Sequence, residues 1–555
     1  MRRSIFAPAA VLVVAVTTGG WFLQQGVRRE QNVYFQARLF EEVVDRITSD
    51  YVDDIERNSL YPLAIEGMLE GLGDPNTSYL TASEYENLRI RTQGDYGGVG
   101  LHIGEYDGFV TVIAPISGTP GARAGLRRGD QFVEIGGQDA AGWDAERAAE
   151  VLRGRPGTDV EVKVLRVGVE QPVSFTLTRE RIQLKSVPFA LGLENGIAYV
   201  PLRVVSETSS DELIAALDSL AEQGSVEGIV LDLRGNPGGL LEQGIAVSDL
   251  FLPDGAAIVE TRGRGARQSR TFEAEEAGRY RLTPIAVLVD EASASASEII
   301  AGALQDHDRA IVVGMPTFGK GSVQTLFRLN GGSVLRLTTA RWYTPVGRSI
   351  EKRHDETAEQ DDPVRTLTLE GRLTAPPSLE DRPVVRSHGG RTLYAGGGIT
   401  PDVLVMADTL TTVEQRAVRL IDRHAGEFER VLFDFGLRVA RERLSLEEDF
   451  TVTDRDLNEL YDSLGEVRDL VGRDDFLAAS RFVRHALERQ IAAQKWGEAA
   501  EFRRRMPYDH QLRAALDLLG QADSPDALFR LVGEVNARAA APGGGGGRSR
   551  KLASL

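Results

Sequence analysis

Two stretches carry residue types that could do chemistry together: VDEASASASEIIAGALQD at 289–306 and GMPTFGKGSVQT at 314–325. They offer one lysine, three closely spaced serines and an acid at the mouth of an apolar helix. Gly314, Gly319 and Lys320 match all but the last position of the phosphate-loop pattern G-x-x-x-x-G-K-[ST], whose final hydroxyl binds magnesium. Gly321 stands at that position. A phosphate-loop lysine also opens a helix, whereas GSVQTLFRLNGGSVLRLTTA after Lys320 is β-branched and alternating, the pattern of strands. The nucleotide reading fails twice, and Lys320 is left as a candidate base. That role requires burial to lower the amine from its ordinary pKa of ~10.4 toward neutrality, at a cost of about 4 kcal/mol in folding.

A base needs a nucleophile, and Ser293, Ser295 and Ser297 all lie just ahead of the helix. Ser295 and Glu298 form an S-x-x-E pair, whose plainest meaning is a capping box worth ~1 kcal/mol. The same placement sets backbone N–H groups and the positive end of the helix dipole beside the hydroxyl, where an oxyanion would form. His307, between Asp306 and Asp308, invites a Ser-His-Asp reading. It falls at the far end of the helix that Ser295 opens, about 18 Å away at 1.5 Å per residue, which is out of reach.

Composition removes other classes. The 555-residue chain has no cysteine, so disulfides, thiolate metal sites and a cysteine nucleophile are excluded. Its seven histidines show no H-x-x-x-H spacing that would place two rings on one helical face, and no metal or cofactor is expected. A formal charge of -18 disfavours nucleic acid, whose phosphates an acidic surface repels.

The elements that must position these residues fall into regimes, in keeping with about three to five domains for this length. Residues 1–28 combine Arg2 and Arg3 with an uncharged run from Ile5 to Leu23, and read as an uncleaved signal anchor, with a cleaved signal peptide as the competing reading; both export the rest of the chain. Residues 29–94 read as helical, with Phe35, Leu39, Val43 and Ile47 near one face. Residues 95–182 shift to short alternating strands around GTPGARAGLRRGDQF and a helix-like WDAERAAEVLRG. Residues 183–408 alternate apolar strands with amphipathic helices, an α/β layer pattern, except for 351–397, read as an inserted polar surface loop. Helices dominate 409–540, and APGGGGGRSRKLASL at the end reads as a mobile tail.

The 95–182 segment resembles a PDZ domain, with Gly98, Val99, Gly100 and Leu101 in the place of its ligand loop. Glycines there let backbone N–H groups converge on a peptide's terminal carboxylate while a strand edge pairs with its backbone. SASASEIIAGALQDHDRAIVVGMPTFGKGSVQT, with LDLRGNPGGLLEQG, YTPVGRSI and GGITPDV, resembles the C-terminal processing (tail-specific) peptidases of family S41, over roughly residues 35–405. In that family the lysine base follows the serine by 25 positions, which selects Ser295 for Lys320. The resemblance implies a catalytic set of Ser295, Lys320 and a lysine-orienting Gln324, the last placed four residues along a strand and so on the face of Lys320. It also implies an oxyanion hole made by the N–H groups of Gly239 and Ala296.

The fold expected is therefore multidomain α+β. An α/β serine protease core carries a helical N-terminal region, an inserted PDZ-like β-rich domain and a helical C-terminal extension to which no function is assigned. The function implied is an exported serine endopeptidase, anchored in the membrane with its body in the bacterial periplasm or cell envelope, that cuts proteins near their C-termini. Expected partners are protein or peptide substrates with free C-termini, with room for an activating adaptor and a homo-oligomer. Two other classes compete, a noncatalytic PDZ scaffold and an exported amidase or esterase with the same dyad.

Overall fold

The computed structural model describes residues 33–352 apart from 107, 167, 168 and 170, and residues 365–540 apart from 378, 380, 381 and 466. The apolar N-terminal run read as an anchor lies outside these residues, as does the glycine-rich tail. Among the described residues, no helix is long and apolar enough to cross a membrane. The described residues fall into two compact units, one of 33–83 with Gln324–Thr338, the other of 84–323 with 339–352 and 365–540.

In the first unit, helices Val33–Asp50 and Arg57–Glu70 precede the strand Ser78–Leu80, which runs antiparallel to 334–336. The expected stripe of Phe35, Leu39 and Val43 on the first helix is about half exposed, and Val44 is its buried residue. Periodicity marked the helix correctly but not the face it buries.

The second unit is built on a six-stranded sheet, in the order 191–192, 197–201, 228–232, 285–289, 311–314, 403–404, parallel from the second strand onward. Parallel strands need long crossovers, here the helices Ser209–Gln223, Leu241–Asp249 and Ala296–Asp306. Alternate strand residues serve two cores. Val200, Ile229, Leu231, Val287 and Val312 pack with Leu217, Val247, Ile300 and Leu304 of those helices. Tyr199, Val230, Leu288 and Val313 face the other way, onto Phe502, Leu512, Leu518 and Leu528 of the C-terminal extension. The strands read as unbroken apolar runs because both faces are buried. The extension is thus the second cover of the sheet, and it also has its own core of Phe428, Phe435, Leu460, Phe476 and Leu487.

The PDZ-like segment has antiparallel strands Leu101–Tyr106, Phe109–Pro115, Gln131–Ile135, Asp159–Leu165 and Val173–Thr178, closed around Val112, Phe132, Val162 and Leu177. Asp95–Gly98 pairs antiparallel with Glu180–Gln183, a two-stranded neck at the two ends of the insert. The expected surface loop at 351–397 needs correction. Its described part forms two hairpins, 366–367 with 373–374 and 384–386 with 392–394, and buries Leu367, Leu369 and Leu393. Strands of two or three residues are too short to leave a period, and a polar, proline-containing composition hid them.

Candidate active site

Three neighbouring parallel strands, Gly228–Asp232, Ile285–Val289 and Ile311–Gly314, deliver three loops at their carboxyl ends, where open α/β sheets assemble their sites. These loops carry Gly239, Ser295 and Lys320.

Ser295 opens the Ala296–Asp306 helix with φ 55° and ψ -116°, a strained backbone that costs about 1–3 kcal/mol and persists only where its surroundings enforce it. Enforcement comes from both sides. Asn236 accepts from Ala294 N–H at 3.0 Å and from Ser297 Oγ at 3.1 Å through its carbonyl. Glu298 Oε2 accepts from Ser295 N–H at 2.8 Å. The Glu298 N–H donates in turn to the Ser295 carbonyl at 2.9 Å. The half-buried Ser295 hydroxyl makes no hydrogen bond to another side chain or carbonyl among the described residues. Ser293 and Ser297 are fully buried and bonded to backbone carbonyls of 233 and 236, so the middle serine is the accessible one of the three.

Lys320 ends an irregular stretch after Ile311–Gly314, and the following strand begins only at Ser322. Its backbone is tied to the same carboxylate as Ser295. Glu298 Oε2 accepts from Lys320 N–H at 2.9 Å, while Oε1 accepts from Thr317 Oγ1 at 2.5 Å and Gly319 N–H at 2.7 Å. One oxygen atom thus spans Ser295 and Lys320, which holds their backbone nitrogens no farther apart than those two bonds laid end to end. Glu298 is completely buried, and burial pushes its pKa up to about 7 against the four donors that favour the anion. The sequence reading saw Glu298 only as a cap. Its fuller role was signalled by an acid in a helix whose every other residue is small or apolar up to Gln305.

Gln324 lies on the strand Ser322–Arg328 within the other compact unit, and its Nε2 donates to Thr338 Oγ1 at 3.4 Å. Because Lys320 precedes that strand, alternation along it does not by itself relate the two side chains, and the assignment of Gln324 rests on the family resemblance.

The loop 233–240 packs directly on the nucleophile turn. A Cβ on Gly238 would lie 2.5 Å from Ala294 O and 2.8 Å from Ala296 N, and one on Gly239 would lie 1.8 Å from Val205 O. Both glycines have positive φ, 88° and 155°. Gly238 N–H is spent on Asn236 Oδ1 at 2.8 Å. The N–H groups of Gly239 and Ala296 have no acceptor among the described residues. The loop is fixed by Asn236 Nδ2, which donates to Leu202 O at 2.8 Å, by Gly235 N–H to Asp290 Oδ1 at 2.9 Å, and by Val205 N–H to Gly238 O at 3.0 Å. Just before it, Tyr199 Oη donates to buried Asp232 at 2.6 Å, and Arg234 pairs with the same carboxylate at 2.7 Å. Burial alone would raise Asp232, yet Arg234 holds it well below the ordinary carboxylate range. Sequence reasoning passed over Asp232 and Arg234, although two charges ending an apolar strand were the available signal.

His307 caps the far end of the Ala296–Asp306 helix, bonded to Ala257 O at 2.6 Å and stacked on His388, well away from Ser295.

In the PDZ-like segment, a groove of about 650 Å³ runs between Leu101–Tyr106 and Ala145–Leu152, lined by Leu101, Ile103, Ala145, Ala149 and Leu152. Val99 and Gly100 are pinned through their carbonyls, by Gly121 N–H at 2.8 Å and Ile116 N–H at 3.0 Å. Their own N–H groups have no acceptor among the described residues.

A sheet carrying at its carboxyl edge a strained serine, a lysine tied to the same carboxylate and two backbone donors with no acceptor among the described residues, with a PDZ-like insert, has the parts a serine hydrolase requires. Family descriptions agree: Peptidase family S41 matches residues 196–359, PDZ domain 111–166, and Activating protease CtpB N-terminal domain 23–84. The chain is 39% identical over 352 residues to a carboxy-terminal-processing protease of Bartonella bacilliformis, covering 62% of this chain and 78% of that one. It is 40% identical over 307 residues to the carboxyl-terminal-processing protease of Synechocystis, covering 54% and 70%. A solved photosystem II D1 C-terminal processing protease is 32% identical, with 55% and 82% covered and a TM-score of 0.32. The chain belongs to the carboxy-terminal processing proteases of peptidase family S41.

Proposed function

We propose that this chain is an exported, N-terminally anchored endopeptidase that cuts proteins near their C-termini with a Ser295–Lys320 dyad. The observation that carries the reading is that the loop holding Gly239 packs on the turn of Ser295 and Ala296, and that the N–H groups of Gly239 and Ala296 have no acceptor among the described residues. A neutral Lys320 amine takes the proton from Ser295 Oγ as that oxygen attacks the scissile carbonyl. The oxyanion is met by the Gly239 and Ala296 donors, which are set in advance and cost no reorganisation. The resulting ammonium returns its proton to the leaving amine. Water, deprotonated by the same amine, then hydrolyses the acyl-enzyme and frees the serine. Gln324 is the proposed orienting partner of the amine.

The PDZ-like groove supports capture of a substrate's C-terminus, with the Val99 and Gly100 donors of the 98–101 loop meeting the carboxylate and apolar walls taking the last side chain. The exposed apolar residues of the Val33–Asp50 helix support association with a second copy or an activating adaptor.

The test compares the full wild-type chain with Ser295→Ala and Lys320→Ala on unfolded proteins that differ only in their C-terminal residues. Cleavage that depends on the tail and is lost in both variants is expected. A folded wild type that binds tails but never cuts would return the chain to the scaffold class.

A further inference from the structure

The proposed oxyanion donor Gly239 sits on a loop containing Gly235, Gly238 and Gly239, all at positive φ, so its own chain does little to hold it. One anchor comes from the C-terminal extension. Arg234 Nη1 donates to Asp509 Oδ1 and Nη2 to Asp509 Oδ2, each at 2.8 Å, and Nη1 also reaches Gln511 Oε1 at 3.1 Å. On its other side the same guanidinium bonds Asp232, through Nε at 2.9 Å and Nη2 at 2.7 Å. The two carboxylates and the guanidinium are all nearly buried. Bidentate pairing of a planar guanidinium fixes orientation as well as position.

We infer that Asp509 is a positioning residue for catalysis, holding through Arg234 the loop that presents the Gly239 N–H beside Ser295. This rests on the dyad reading above. The plainer account is that Asp509 only caps the His510–Leu519 helix, since its Oδ1 accepts from Leu512 N–H at 3.0 Å. A cap needs one oxygen, however, and both oxygens of Asp509 are aimed at Arg234. Asparagine separates the two roles because it caps as well as aspartate. Asp509→Asn also leaves Arg234 paired with Asp232, so no buried charge is stranded.

The experiment uses the full chain and three measurements on Asp509→Asn and Asp509→Glu. With a tail-bearing peptide, kcat of the Asn variant is expected to fall by about 10- to 100-fold with KM within about threefold, as a displaced donor predicts. Affinity for a peptide boronate, which forms a tetrahedral adduct on the serine, should fall by the same factor as kcat. Amide exchange in 233–240 should quicken while that in 101–178 is unchanged. The Glu variant, with charge kept and the carboxylate one methylene farther out, should lie between the Asn variant and wild type. A purely structural cap would move thermal stability and none of these. A folded Asn variant with kcat and boronate affinity within about twofold of wild type overturns the inference. Should the Asn variant not fold, the Glu variant is judged by the same readouts. If the wild type neither cuts nor takes up the boronate, the dyad reading fails, and exchange at 233–240 alone decides whether Asp509 holds the loop.

Discussion

Glu298 is the most informative residue to change, because one buried carboxylate ties both halves of the proposed dyad. Glutamine keeps the shape but offers one acceptor in place of two. Its amide nitrogen goes most cheaply to the Oε1 side, where the Thr317 hydroxyl can turn to accept and only the Gly319 N–H loses its partner. An orphaned buried N–H costs about 1–3 kcal/mol. Against this, a carboxyl raised from 4.5 to about 7 carries a penalty of roughly 3 kcal/mol once charged, which glutamine removes. Glu298→Gln should therefore stay within about 2 kcal/mol of wild type at pH 8 while Lys320, next to the released Gly319, shifts enough to lower kcat by about 10- to 100-fold. The sign with pH is fixed. A folded-state pKa above the unfolded value favours the native state below pH 4.5, and that advantage is lost as pH rises toward 7. Urea titrations should thus show the glutamine variant gaining roughly 2–3 kcal/mol on wild type between pH 5 and pH 8. In wild type, protonation near 7 puts an O–H among four donors and breaks a bond, so kcat should have an acid limb there that glutamine abolishes. Glu298→Ala strands three backbone N–H groups, costing about 3–9 kcal/mol, and should be barely stable. A glutamine variant with wild-type kcat and the same acid limb would refute the role given to Glu298 in tying Ser295 to Lys320.

Three further outcomes are expected. Gly239→Ala places a methyl 1.8 Å from Val205 O, so the loop must move, and kcat should fall at least about 100-fold in a protein that still folds by circular dichroism. Gly100→Ala sets a methyl 2.3 Å from Thr119 at φ 72°, and should raise KM for tailed peptides with kcat unchanged, read by steady-state kinetics. Phe502→Ala, which removes a ring stacked 4.1 Å from Tyr199, should lower stability by about 3–5 kcal/mol in urea and show that the extension unfolds with the sheet it covers.

The layer order was legible because apolar runs and glycine patterns are local properties of a chain, whereas the choice of Ser295 and Lys320 came from the spacing that the family resemblance implies. What escaped was set by tertiary packing. The apolar runs at 228–232 and 285–289 announce two buried faces, but not that Leu512 and Leu518, more than 200 residues later, cover one of them. Glu298 looks like an ordinary N3 acid until Thr317, Gly319 and Lys320 fold back onto it. Gln324 was implied by the family resemblance, and the supporting argument from strand alternation does not apply because the strand starts two residues after the lysine. Asp509 and Arg234 are each unremarkable in sequence and meet only through the fold.

The claim on which the rest depends is that the Lys320 amine is the base for Ser295, and chemical rescue addresses it most directly. Cleavage of a tailed peptide by Lys320→Ala should be abolished and then restored in part by added methylamine, in proportion to the free-base concentration, with no rescue of Ser295→Ala. Cleavage by Lys320→Ala at the wild-type rate without added amine would contradict the account.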